Sequence, residues 1–359
     1  VPLGIRRMIA PSTQAATAGA ALLFGLIPTG AAAQERFPVS GSNVAIYNLA
    51  GRVVLEAGPG SDVTVDVSRG GDDAGQLRIE TGRIDDANTL RVVYPGSRVV
   101  ASFLSSNQHT KLRVRDDGTF SDHNSNRGSH VTISDGGSGL EAWADLTIRI
   151  PSGKTVRVYL AVGSIAATNL DGDIRLDTHS APVTASDIRG SLDVDVGSGS
   201  VEVRRMTGTL RVDTGSGGVE VYDVDSDVID IDTGSGGVRG GNLTAETIRI
   251  DTGSGGIELD DVGADRLLMD TGSGGVRLTL NRVPEHIDVD TGSGGVTIRL
   301  PSGLNAMVEL ETGSGSIETD FPMTIRRHSR DHVEGQIGDG SGLIKIETGS
   351  GSIRLLTTG

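Results

Sequence analysis

The stretch Leu210-Arg211-Val212-Asp213-Thr214-Gly215-Ser216-Gly217-Gly218-Val219-Glu220-Val221 decides the fold. Apolar and polar residues alternate at both of its ends, the period-2 signature of strands that bury one face. Between them lies a glycine-rich corner. The heptapeptide Asp-Thr-Gly-Ser-Gly-Gly-Val starts at Asp213, Asp232, Asp251, Asp270 and Asp290, with Ile257 for Val in the third copy. Looser copies start at Asp195, Glu311 and Glu347, and a degenerate one (Asp-Thr-His-Ser-Ala-Pro-Val) starts at Asp177. In chain order the starts are 18, 18, 19, 19, 19, 20, 21 and 36 residues apart, the last close to two periods. A fixed period marks a repeat architecture, in which each unit buries its apolar face only against its neighbours.

The flanking alternation repeats with the corner. Ile229 and Ile231 precede Val238, Ile248 and Ile250 precede Ile257 and Leu259, and Ile287 and Val289 precede Val296, Ile298 and Leu300. A third apolar position follows at Val224, Leu243 and Val262. Three inward-facing segments per repeat predict an all-β fold, a parallel β-solenoid (β-helix) of about 19 residues per coil. The corner glycines are expected at positive φ, where a residue without Cβ is at ease. Each corner Asp is expected to accept hydrogen bonds from backbone N–H groups about two residues on, as in an Asx turn. The Thr falls on the inward parity, with its hydroxyl available to bond along the stack. Ala181 and Pro182 replace glycines in the Asp177 copy, which predicts a corner of different shape there.

Residues 1–33 read as a secretory signal peptide. Arg6 and Arg7 supply the positive start, Ala15 to Ile27 the apolar run, and Ala31-Ala32-Ala33 a small-residue cleavage site. The mature chain is expected to begin near Gln34 and to carry no membrane span. Residues 34–100 read as irregular β rungs capping the start of the stack, since an open end must be covered to stay soluble. Residues 101–140 are polar and turn-rich and read as an excursion in the form of a hairpin. The repeats occupy 141–359, with a second excursion at 321–340 accounting for the doubled final spacing.

The 359 residues include 53 glycines, only 3% aromatics and no cysteine, with a formal net charge of −15. Few aromatics suit a narrow core of Val, Ile and Leu. The lack of cysteine excludes disulfides and thiolate metal sites. The acidic balance argues against nucleic acid, whose binding needs basic patches.

Stacked coils put the corner acids in a row, each about 5 Å from the next. The candidate site is therefore Asp213, Asp232, Asp251, Asp270 and Asp290, continued by Asp195, Glu311 and Glu347. The preferred reading is structural, with no cofactor. Calcium, which takes oxygen ligands, is the alternative, and the row would then be a calcium ladder. Asp-Thr-Gly-Ser also occurs in aspartic proteases, but that chemistry needs two carboxyls sharing one proton at one site. Asp223-Val224-Asp225-Ser226-Asp227 opens like an EF-hand loop, yet Val228 and Gly234 stand where Gly and Glu are needed. His328 and His332, and the group His109, His123 and His130, read as solvated residues rather than metal ligands. Trp143 is the only tryptophan, and Tyr47, Tyr94, Tyr159 and Tyr222 are scattered, which disfavours a polysaccharide-active β-helix enzyme.

At these repeats the chain resembles the bacterial family of proposed adhesins known as domain of unknown function 4097, with its Thr-x-Ser-Gly-x-Val/Ile units such as Thr214 to Val219. Leu146 to Gly153 and Gly335 to Gly340 also look like that family. The resemblance covers roughly 140–359 well and 36–100 weakly. It implies a β-solenoid and brings no catalytic residues. The expected function is an exported, non-enzymatic β-solenoid of the cell surface or envelope, engaging a surface or envelope protein or glycan. The alternative is a periplasmic structural or envelope-stress accessory protein.

Overall fold

A computed structural model describes residues 34–104, 109–120 and 127–358; the signal peptide expected at 1–33 and His123 lie outside them. The described chain is built of β-strands with one short 3-10 turn at Ala74–Gln76. Most strands belong to one long, chiefly parallel sheet that coils as a stack.

Successive repeats lie directly on one another. The strand Val201–Thr214 pairs in parallel with Val219–Thr233, which pairs with Val238–Thr252, which pairs with Ile257–Thr271. Val219 faces Val238 and Asp213 faces Asp232, so identical positions form columns. The inward columns are aliphatic. Val201, Val219, Val238, Ile257, Val276 and Val296 form one, and Leu210, Ile229, Ile248, Leu267 and Ile287 another, all buried. Each such side chain removed from water stabilises by about 1.5–3 kcal/mol. The repeat thus replaces a globular core with stacked ranks of Val, Ile and Leu.

The corners are held differently from the expectation. None of the Thr-Gly-Ser-Gly-Gly glycines lies in the left-handed region. Glycine is required instead by stacking: a Cβ on Gly217 would stand 1.6 Å from the Gly199 carbonyl oxygen, and one on Gly236 would stand 1.8 Å from that of Gly217. The bonds that close the corner run to the threonine rather than to the Asp. From Thr214 onward the corner Thr hydroxyl accepts from the N–H three residues on, as in Gly236 N to Thr233 Oγ1 at 3.0 Å and Gly255 N to Thr252 Oγ1 at 2.9 Å. It also donates to the coil before, as in Thr252 Oγ1 to the Gly236 carbonyl at 3.0 Å. The Asp177 copy does have its own corner, where Thr178 donates to the Ala181 carbonyl at 2.9 Å. The left-handed turns occur at a second corner, at Asn169, Asp187, Arg205, Asp223, Asn242 and Asp261, with φ of 52–59°. Asn and Asp tolerate that region better than other residues with a side chain.

At the start of the stack, Asn43–Ala57 forms a full rung beneath Lys154–Ser180. Both directions occur around it: Trp143–Ile150 runs parallel to Asn43–Ala57, while Glu35–Val39 and Trp143–Ile150 both flank Val63–Gly70 in antiparallel pairing. Within 101–140, His109–Val114 and Ser129–Ser134 form an antiparallel hairpin in a separate four-stranded sheet with Arg98–Val100 and Leu140–Glu141.

The far end departs from chain order. Gly342–Thr348 pairs with His286–Thr291 on one side and Ala306–Thr312 on the other. Ile353–Thr357 likewise lies between Val296–Leu300 and Ile317–Thr319. The last coil in sequence is therefore slotted beneath the one before it. The 36-residue spacing is a reversal rather than two periods read in order: the chain climbs to Ala306–Thr312, turns through the hairpin Thr324–His328 and His332–Ile337, and returns one level down.

Candidate functional site

Register places every corner acid in one column. Asp177 faces Asp195, then Asp213, Asp232, Asp251, Asp270, Asp290, Glu347 and Glu311 in turn. All five sequence-predicted residues, Asp213, Asp232, Asp251, Asp270 and Asp290, are brought together as neighbours. Glu347 and Glu311 exchange places relative to the sequence expectation, because the last coil is slotted in.

A second column runs two residues earlier on the same outward face. It reads Arg175, Asp193, Arg211, Asp230, Arg249, Leu268, Asp288, Lys345 and Glu309. Here charge largely alternates, so neighbours attract, whereas the acid column repels itself throughout. Among the described residues, ion pairs to the acid column sit towards its ends: Arg175 to Asp195 at 3.7 Å, Lys345 to Glu347 at 2.7 Å, and His332 to Glu311 at 3.6 Å when the imidazole is protonated.

Two acids of the column, Asp232 and Asp270, hold their protons more tightly. The Asp232 carboxyl is pushed above the usual aspartate range by partial burial, then by Asp213 and Asp251 on either side, with Arg249 opposing. Asp270 is raised for the same reasons, by burial and then by Asp251 and Asp290. Two shallow grooves follow the face, of about 390 Å³ around Asp213 and Asp232 and about 330 Å³ around Asp270 and Asp290. The face can attract cationic groups and offer carboxylate oxygens at a constant interval.

Sequence reasoning missed a second polar groove, of about 560 Å³, along the left-handed corners. Arg205 forks onto Asp187 at 2.8 and 2.9 Å, Asn242 donates to Asp223 at 2.8 Å, and Asn281 donates to Asp261 at 2.9 Å. Its signal in the sequence was the recurrence of Asn or Asp at Asp223, Asn242 and Asp261, nine residues before each next corner acid.

The family model described as Toastrack DUF4097 matches residues 97–356, most of the chain. The chain belongs to the Toastrack DUF4097 family. No curated protein matches it. Among solved structures, a chain described as a "putative cell adhesion protein" from Clostridium sporogenes is similar at 12% identity, covering 91% of this chain and 99% of its own, with a TM-score of 0.22. Among the described residues of this family member, no helix is long and apolar enough to cross a membrane.

Proposed function

We propose that the protein is an exported, non-enzymatic interaction scaffold of the cell surface or envelope, built as a solenoid of about 19 residues per coil. The observation that carries this reading is the acid column, a single charge type repeated in register along one face. Repeated equivalent sites on a rigid support suit weak contacts that add by multivalency. An adhesin-like role against a surface protein or glycan follows from that format, and residues 1–33 supply the export signal. Domain limits in this reading are 1–33, 34–100, 101–140 and 141–359. The acids serve as surface charge; calcium at Asp213 to Asp290 would require heat in calorimetry and a chelator-sensitive melt.

Protease shaving of intact producing cells tests the location, with a periplasmic marker as control. Cleavage from whole cells supports the adhesin-like role. Protection until the outer envelope is opened removes it and leaves the periplasmic accessory reading.

A further inference from the structure

The far end of the acid column carries a histidine that the corner motif does not supply. His332–Ile337 returns antiparallel on Ala306–Thr312, with His332 opposite Glu311 and Glu334 opposite Glu309. Alternation buries Val308, Leu310 and Val333 and turns Glu309, Glu311, His332 and Glu334 to the other face. One ligand atom from each of Glu309, Glu311 and His332 lies within 4.8 Å of the other two. His332 Nδ1 is 3.6 Å from a Glu311 carboxylate oxygen. The other ring nitrogen, Nε2, is buried and has no hydrogen-bond partner. The imidazole is thus set into the surface and held mainly through its Glu311 side. On the opposite edge of the same strand, Lys345 stands across from Glu309 in register and pairs with Glu347 at 2.7 Å.

We propose that Glu309, Glu311 and His332 form a site for a divalent transition cation of the zinc type. One imidazole nitrogen and two carboxylate oxygens make a mixed donor set that zinc accepts, at about 2.0–2.2 Å to each ligand. Drawing three atoms from within 4.8 Å onto one ion takes only side-chain adjustment. Calcium is a poorer fit, because it prefers six to eight oxygens and no nitrogen. The site also differs in kind from the middle of the column, where register supplies aspartates alone. Its ligands come from two strands that run in opposite directions, so a bound ion would fasten the terminal hairpin to the stack.

The test is titration of the untagged full chain with Zn²⁺, and separately with Ca²⁺, followed by calorimetry and thermal melting. One equivalent of Zn²⁺ should bind and raise Tm, and Ca²⁺ should not replace it. His332→Gln and Glu311→Gln should each weaken Zn²⁺ binding at least tenfold, while Asp232→Asn binds as the parent. Glu311 is exposed and outside the core, so its variant tests the site even if His332→Gln folds poorly. Absence of Zn²⁺ heat, or binding unchanged in Glu311→Gln, would overturn the proposal. Binding lost in Asp232→Asn instead would also overturn it, by placing the ion on the repeat column.

Discussion

Asp66 and Asp232 are both aspartates on β-strands, and their carboxyls shift in opposite directions. Asp66 belongs to the irregular N-terminal region. Its side chain is 1% exposed, Arg36 forks onto it at 2.7 and 3.0 Å, and Arg149 closes the other side. The Arg36 hydrogen bond, helped by Arg149 and opposed by burial, pulls its carboxyl down to about 2. Asp232 lies in the repeats, between Asp213 and Asp251, and is pushed up. In the irregular region each neighbour is an independent residue, and an acid can be given two arginines. In a stack with constant register the residue above and below is a copy, so an acid meets acids. Relief arises only where copies have diverged, as in the alternating column of Arg211, Asp230 and Arg249.

The comparison breaks most completely if the register itself is lost. Gly217 and Gly218 are adjacent, yet a Cβ on Gly217 would stand 1.6 Å from the Gly199 carbonyl, whereas one on Gly218 would meet nothing closer than 3.6 Å. Gly217→Ala should cost about 3 kcal/mol, since backbone rather than a flexible side chain must move. Gly218→Ala should stay within about 0.5 kcal/mol of the parent. Urea unfolding of the two variants measures the difference, and equal midpoints would show that close stacking does not hold the corner.

The paired acid gives the next largest effect. Asp66→Asn should lower stability at pH 7 by about 2–3 kcal/mol, because two guanidinium groups lose a charged partner. Its folded pKa lies below the ordinary 3.8, so the carboxylate stabilises above that value. That contribution is lost as pH falls through about 2. Unfolding curves of parent and variant should therefore converge in strong acid. A constant gap at all pH values would show that packing, not the ion pair, matters at this position.

The repeat was legible because its period is written directly in Asp213, Asp232, Asp251, Asp270 and Asp290, and parity alone told inward from outward residues. What the corner uses its residues for was less visible. Positive φ and close stacking both select glycine, and a sequence does not distinguish them; Thr and Asp are likewise both able to close a turn. The slotted last coil was hidden because 36 residues fit two periods as well as one reversal. His332 beside Glu311 was hidden for the same reason, since the pair exists only once the chain has turned back.

The smallest effect concerns the repelling column and has the opposite sign. Asp232 and Asp270 have raised pKa values, so the fold favours their protonated forms. Stability from these groups is complete below 3.8 and declines as pH rises through the raised values. Asn resembles the protonated carboxyl at every pH. Asp232→Asn combined with Asp270→Asn should therefore raise Tm at pH 7 and match the parent in acid. Both residues are largely exposed, and solvent screening holds the gain under about 1 kcal/mol, less still in high salt. A lower Tm at pH 7 would mean that the ionised carboxylates stabilise the coil, through a bound cation or a bond to the corner. The column would then be a built site, and the contrast with Asp66 would become one between two kinds of partner.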